Sequence, residues 1–149
     1  MFRHRTFEYL CDLYSRLEET GAIPYDQTVQ DRVVGVLGTS RKAADANNVR
    51  RGVIEVTTEL TTQRDTGHFI ARSFGGGLDL NLFSQERNLN RGWSQQGKIY
   101  RQMEQYCRAQ VGTFCFSRPI YADGSCVPRW LEFGVLVANG EIWVEVFDN

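Results

Sequence analysis

The sequence predicts an α+β domain, and three observations carry that expectation. Apolar residues recur at helical spacing near the N-terminus (Phe7, Leu10, Cys11, Tyr14, Leu17) and again beyond Ser94. β-Branched runs lie between those helices, over residues 27–37 and 50–60. Two alternating runs flank Asn139-Gly140, a strong type I′ hairpin signal. The order is helix, strands, helix, hairpin. At 149 residues the chain reads as one domain over 1–149, long enough to bury a core without staples.

Each element has its own warrant. Residues 6–20 read as an amphipathic helix that Gly21 terminates, with Pro24 beyond it. Residues 27–37 end in a short apolar run consistent with a strand, with helix as the alternative. Residues 38–49 are small and polar, a loop or short helix whose Arg41 and Lys42 are more simply solvated than bound to phosphate. Val53, Ile54, Val56 and Thr57 mark a strand over 50–60, and 68–72 a second one, with Thr61 to Asp65 as the connection. The triplet Gly75 to Gly77 is too flexible for the interior of an element. Ser94 is a good N-cap for a helix reaching about Gln110, with Gly112 as its stop. In the hairpin, Phe133, Val135 and Val137 share one face of the first strand, and Ile142, Val144 and Val146 one face of the second.

Composition narrows the function. The net charge of −1 gives the whole chain no basic footprint, which argues against a protein that coats nucleic acid non-specifically. It argues less against an enzyme, which needs positive charge around only one cleft. The cysteines (Cys11, Cys107, Cys115, Cys126) include no C-x-x-C pair, so a zinc ribbon is not expected. Cys11 and Cys107 fall on apolar helix faces and read as buried thiols; Cys115 and Cys126 could bridge only in an exported chain. The N-terminal stretch has no apolar signal core, and no run is long enough to span a bilayer. The expectation is a cytoplasmic protein, or one delivered without a cleavable signal, with no membrane partner.

The chemistry is concentrated in residues 64–108. With only His4 and His68 present, three-His zinc sites and the two-His metalloprotease helix are excluded. His4 lies in a terminus expected to fray. His68 follows Asp65 and Gly67, and a neutral imidazole there can take a proton from water; the plainer reading is a strand histidine held by a neighbour. Asn81, Asn88 and Asn90 offer amide oxygens, hard donors suited to Mg²⁺, or else serve turns and caps. On the Ser94 helix, Ile99, Met103 and Tyr106 form the apolar stripe. Gly97, Arg101, Glu104 and Arg108 fall opposite. Glu104 and Arg108 are four apart, which makes either a surface ion pair or a carboxylate for metal-bound water beside an arginine for phosphate. Together these are the parts of a metal-assisted phosphodiesterase.

Those residues resemble the DNA/RNA non-specific endonucleases of the ββα-metal superfamily. Asp65-Thr66-Gly67-His68 matches three of the four positions of their Asp-Arg-Gly-His signature. Asn81 through Asn90-Arg91-Gly92, and the Glu104/Arg108 pair, follow in the family's order over about 45 residues. The resemblance implies a ββα-metal nuclease fold, with its core at about 50–112 between an N-terminal helix and a C-terminal β-hairpin. It implies His68 as general base, Asn90 as direct ligand to Mg²⁺ or Mn²⁺, and Glu104 on metal-bound water. Arg108 would stabilise charge on phosphate, Asn81 would position the histidine or the phosphate, and Asp65 would be a supporting residue. Thr66 replaces the signature arginine, a loss that Arg64 or Arg72 could make good; Arg91 and Arg101 are further cations expected to meet phosphate. Glu104 lies further from Asn90 than in the family, as an insertion around Trp93 to Lys98 would cause. The expected substrate is DNA or RNA cut with little sequence preference. A chain of this kind without a signal suits a toxin or effector with an immunity or inhibitor protein. The alternative is an inactive nuclease-like module that binds nucleic acid or protein.

Overall fold

Phe7 and Tyr9 are buried and Leu10 is exposed, the two-residue period of a strand rather than the period of a helix. The computed structural model describes residues 1–21, 31–43, 63–77 and 80–149. The N-terminal segment forms β1 (Phe2–His4), β2 (Phe7–Asp12) and then a short helix, α1 (Tyr14–Glu19). β2 is bonded on both sides, to β1 and to β3 (Arg32–Thr39). Those ladders decide its conformation, because Phe7 and Cys11 fit either period and Phe7 and Tyr9 favour strands. The helix expected over 6–20 is corrected to a strand followed by 6 helical residues.

The chain continues through β4 (Arg64–His68), β5 (Leu82–Glu86), α2 (Arg87–Arg91), α3 (Gln95–Ala109), β6 (Phe114–Ile120), β7 (Trp130–Leu136) and β8 (Ile142–Asp148). Six strands form one open antiparallel sheet, in the order β1-β2-β3-β6-β7-β8, and β4 pairs with β5 in a second sheet. Antiparallel sheet therefore dominates the described residues, with α3 as the main helix. This overturns the α+β class and the ββα-metal fold with an N-terminal helix that the sequence led us to expect. The strand expected over 50–60 lies outside the described residues. β4 ends at His68, where the sequence predicts a strand to begin, and its partner is β5.

α3 seats on one face of the large sheet. Its Tyr100 meets Phe133 edge-on at 5.5 Å and Phe147 at 5.2 Å between centroids, contacts that add directionality to apolar burial. Met103 and Cys107 fill the same core with Leu131 and Val135. None of the four cysteines forms a disulfide, and Cys115 hydrogen-bonds Cys107 in the core instead of bridging to Cys126. The small sheet is fastened to the large one at Asn149, whose Nδ2 donates to the carbonyls of Ser84 (3.1 Å) and Pro128 (2.7 Å). Its Oδ1 accepts from the Glu86 amide at 3.0 Å. Phe69 stacks on Phe83 at 4.4 Å, and the Tyr100 hydroxyl donates to the His68 carbonyl at 3.3 Å. These contacts hold β4 between α3 and α2. Among the described residues no helix is long and apolar enough to cross a membrane.

Candidate active site

β4 and β5 pair Asp65 with Gln85 and His68 with Leu82. A Cβ on Gly67 would stand 2.2 Å from the Gln85 Oε1, so only glycine lets that buried side chain cross the strand. Alternation turns Asp65 and Gly67 to one face of β4 and Thr66 and His68 to the other.

Asp65 is the most heavily bonded of the predicted site residues. Arg91 holds it at two points, Nε to Oδ2 at 2.6 Å and Nη2 to Oδ1 at 3.1 Å, and Arg87 Nε donates to Oδ1 at 3.0 Å. The hydrogen bonds from Arg91 first, then those from Arg87 and Asn90, outweigh desolvation and lower its pKa to about 2. An ionised carboxylate can only accept. Asn90 therefore presents Nδ2 to Asp65 Oδ2, at 3.4 Å, and its Oδ1 has no hydrogen-bond partner among the described residues. The carboxylate of Asp65 thus sets which way the Asn90 amide faces.

The chain of contacts continues into α3. Arg101 donates through Nη2 to the Asn90 carbonyl and through Nη1 to Glu104 Oε2 at 3.0 Å. Glu104 is 8% exposed; desolvation raises its pKa, and Arg101 opposes that shift. The partner of Glu104 is thus Arg101 on the preceding turn. Arg108, on the turn after, is exposed and makes no ion pair within the described residues. The ion pair between Glu104 and Arg108 that their spacing predicts is corrected accordingly. The helix side that reads as fully polar is partly covered: Gly97 and Glu104 are buried, and α2 packs over Gly97.

The other predicted residues are placed as follows. The half-buried His68 ring makes no hydrogen bond or ion pair to Asn90, Glu104 or Arg108; burial, then the nearby Arg72, lowers its pKa. Asn81 is buried, and its amide is fully engaged with backbone: Oδ1 accepts from the Ile70 N–H at 2.9 Å, and Nδ2 donates to the carbonyls of Ile70 (2.7 Å) and Gly77 (2.9 Å). It pins the segment that follows His68. Arg64 donates to the carbonyls of Ser84 (3.1 Å) and Asn149 (3.2 Å), whereas Arg72 is exposed in a 3-10 turn, Arg72–Phe74. Asn88 binds the Glu86 carboxylate that caps α2. Sequence reading did not single out Arg87, whose place one helical turn before Arg91 is the signal that could have found it.

Comparison with known proteins adds a structural likeness. No family model matches the chain, and no curated protein matches it. It is similar to a solved structure of Sda1 nuclease with bound zinc ion. That likeness has a TM-score of 0.48 and 16% identity, over 97% of this chain and 70% of that one.

Among the described residues no three His, Cys, Asp or Glu side chains converge as a metal cage. Asn90 Oδ1 and the Glu104 carboxylate are hard oxygen donors of the kind that an Mg²⁺-type ion takes while keeping most of its waters. Arg101 is bonded to both residues, so such an ion and the guanidinium compete for Glu104.

Proposed function

We propose that this chain is an endonuclease that hydrolyses phosphodiester bonds of DNA or RNA with the help of an Mg²⁺ or Mn²⁺ ion. The observation that carries the reading is the bonded series Asp65–Asn90–Arg101–Glu104, assembled from β4, α2 and α3, in which an ionised aspartate leaves the side-chain oxygen of Asn90 without a partner among the described residues. The charge around it agrees. Residues 64–108 hold seven Lys and Arg against four Asp and Glu, a local net charge of +3 in a chain of net −1. The likeness of these residues to the DNA/RNA non-specific endonucleases supplies the reaction class.

The roles follow from the chemistry of each group. Neutral His68 accepts a proton from the attacking water at a ring nitrogen. Asn90 and Glu104 would hold the ion, which when bound would supply charge to offset what develops on phosphate. Arg108, with no ion-pair partner among the described residues, meets the phosphate or the leaving oxygen. Asp65 orients Asn90 and touches no substrate. On the same reading the chain harms a cell that makes it, and a protective partner accompanies it; harmless expression without any partner speaks against that role.

The test is incubation of supercoiled plasmid and of total RNA with the folded protein in Mg²⁺, in Mn²⁺ and in chelator, beside His68→Ala and Asn90→Ala. Cutting that needs metal and disappears in both variants is the expected result. A folded wild type that cuts neither polymer with either metal overturns the proposal. A second reading, an inactive module that only binds nucleic acid, is favoured by Thr66 in place of arginine and by the lack of any bond from His68 to the Asn90 cluster. It expects salt-sensitive binding without cleavage.

A further inference from the structure

Trp93 lies three residues beyond Asn90, inside the stretch where the chain departs from the endonuclease pattern, and its side chain has no place in the roles above. It is 61% exposed, unusual for a ring of that size beside a polar cluster. Its backbone is nevertheless tied to α2. Gly92 ends α2 in the left-handed region at φ 72°, and the Trp93 N–H then donates to the Asn88 carbonyl at 2.9 Å. The Arg91 guanidinium lies over the ring, 4.9 Å from its centroid, and is itself clamped at two points by Asp65. One face of the indole is thus backed by a cation. Arg87, Arg91 and Arg101 gather here beside three carboxylates that are each already engaged, Asp65 and Glu104 by arginine and Glu86 by the first amides of α2.

We infer that Trp93, backed by Arg91, is a stacking platform for one unpaired base of a nucleic-acid strand whose phosphates lie on the arginine cluster. A preset aromatic ring costs little ordering on binding. It stacks on any base, because every base has a π-face, while adjacent cations track the backbone. A base inside a duplex is already stacked on both sides and is not offered to such a ring. The inference rests on the proposed nuclease function and specifies its substrate class, single-stranded nucleic acid or a strand with an unpaired base.

The experiment is fluorescence anisotropy in chelator, so that nothing is cut. Labelled 12-nucleotide thymidine and uridine oligomers and a 12-base-pair duplex are titrated with wild type, Trp93→Ala and Trp93→Phe. Wild type is expected to bind the single strands more tightly than the duplex. Trp93→Ala should lose roughly tenfold or more on the single strands, the range of one base–aromatic stack, with little change on the duplex, and Trp93→Phe should retain most of the affinity. If Trp93→Ala binds single strands as tightly as wild type, the platform is wrong and the nuclease reading stands. If wild type binds neither polymer, the nuclease reading fails and the platform with it.

Discussion

His68 loses its proton more readily than a free imidazole, because burial disfavours the charged ring and Arg72 adds repulsion. At pH 7 it is neutral, the form that accepts a proton. Between its lowered folded value and the ordinary 6.5, the unfolded chain takes up the proton first. This contribution to stability is therefore complete above pH 6.5 and falls away as the pH drops through that window. On the proposed function, plasmid nicking between pH 5 and 8 should rise with a midpoint below 6.5, and Arg72→Ala should move that midpoint upward. A wild-type midpoint above 6.5 would remove His68 from the role of base. Asp65, His68, Asn90 and Glu104 stand out in the sequence by residue type and spacing. Their partners do not. Arg101 and Arg108 are equally within reach of Glu104 along a helix, and the choice falls to Arg101 because its other nitrogen is held by the Asn90 carbonyl of a different element. Such tertiary contacts leave no periodic trace.

Gly97 looks misplaced in the first turn of a helix, where alanine would ordinarily gain up to about 1 kcal/mol. The packing of α3 on α2 explains it. A Cβ there would stand 2.5 Å from the Asn88 carbonyl oxygen and 2.9 Å from the Gly92 Cα, backbone atoms that can yield only by moving α2. Gly97→Ala should therefore destabilise the fold by about 1–3 kcal/mol, the usual cost of overpacking, and displace Asn90. Urea denaturation checks this, and a variant more stable than wild type would contradict the close approach of the two helices. The Ser94 cap and the place of the Asn139-Gly140 turn were legible because each rests on local backbone chemistry: Ser94 Oγ accepts from the Gly97 N–H at 2.9 Å, and the turn joins β7 to β8, although Gly140 alone takes positive φ and the turn is therefore not the type I′ expected. β2 was misread because its apolar residues fit two periods and only its neighbours in the sheet choose between them. β6 was not anticipated at all. It carries Pro119, a poor strand residue, tolerated because β3 pairs with β6 only as far as Ser117. The proline's missing N–H thus falls where β3 no longer pairs.

At the scale of the molecule, the site is a small two-stranded sheet with its helices, set on a six-stranded floor of which the sequence forecasts β3 and the β7–β8 hairpin but not β1, β2 or β6. Much of the join is Asn149. Asn149→Ala removes three hydrogen bonds, two of them donated to the buried Ser84 and Pro128 carbonyls. It should cost about 1–3 kcal/mol and speed hydrogen exchange at the Glu86 amide. Unchanged exchange there would show that the hairpin is held by other contacts. The connectivity also carries a consequence of timing. Residues 64–108 hold every group assigned to the chemistry, yet they rest on β7, on β8 and on an amide at position 149, which leave the ribosome after them. A chain still being synthesised has the reactive residues and lacks the floor that gathers them. On the proposed function, the message being read is out of danger from its own product until translation has passed the last strand.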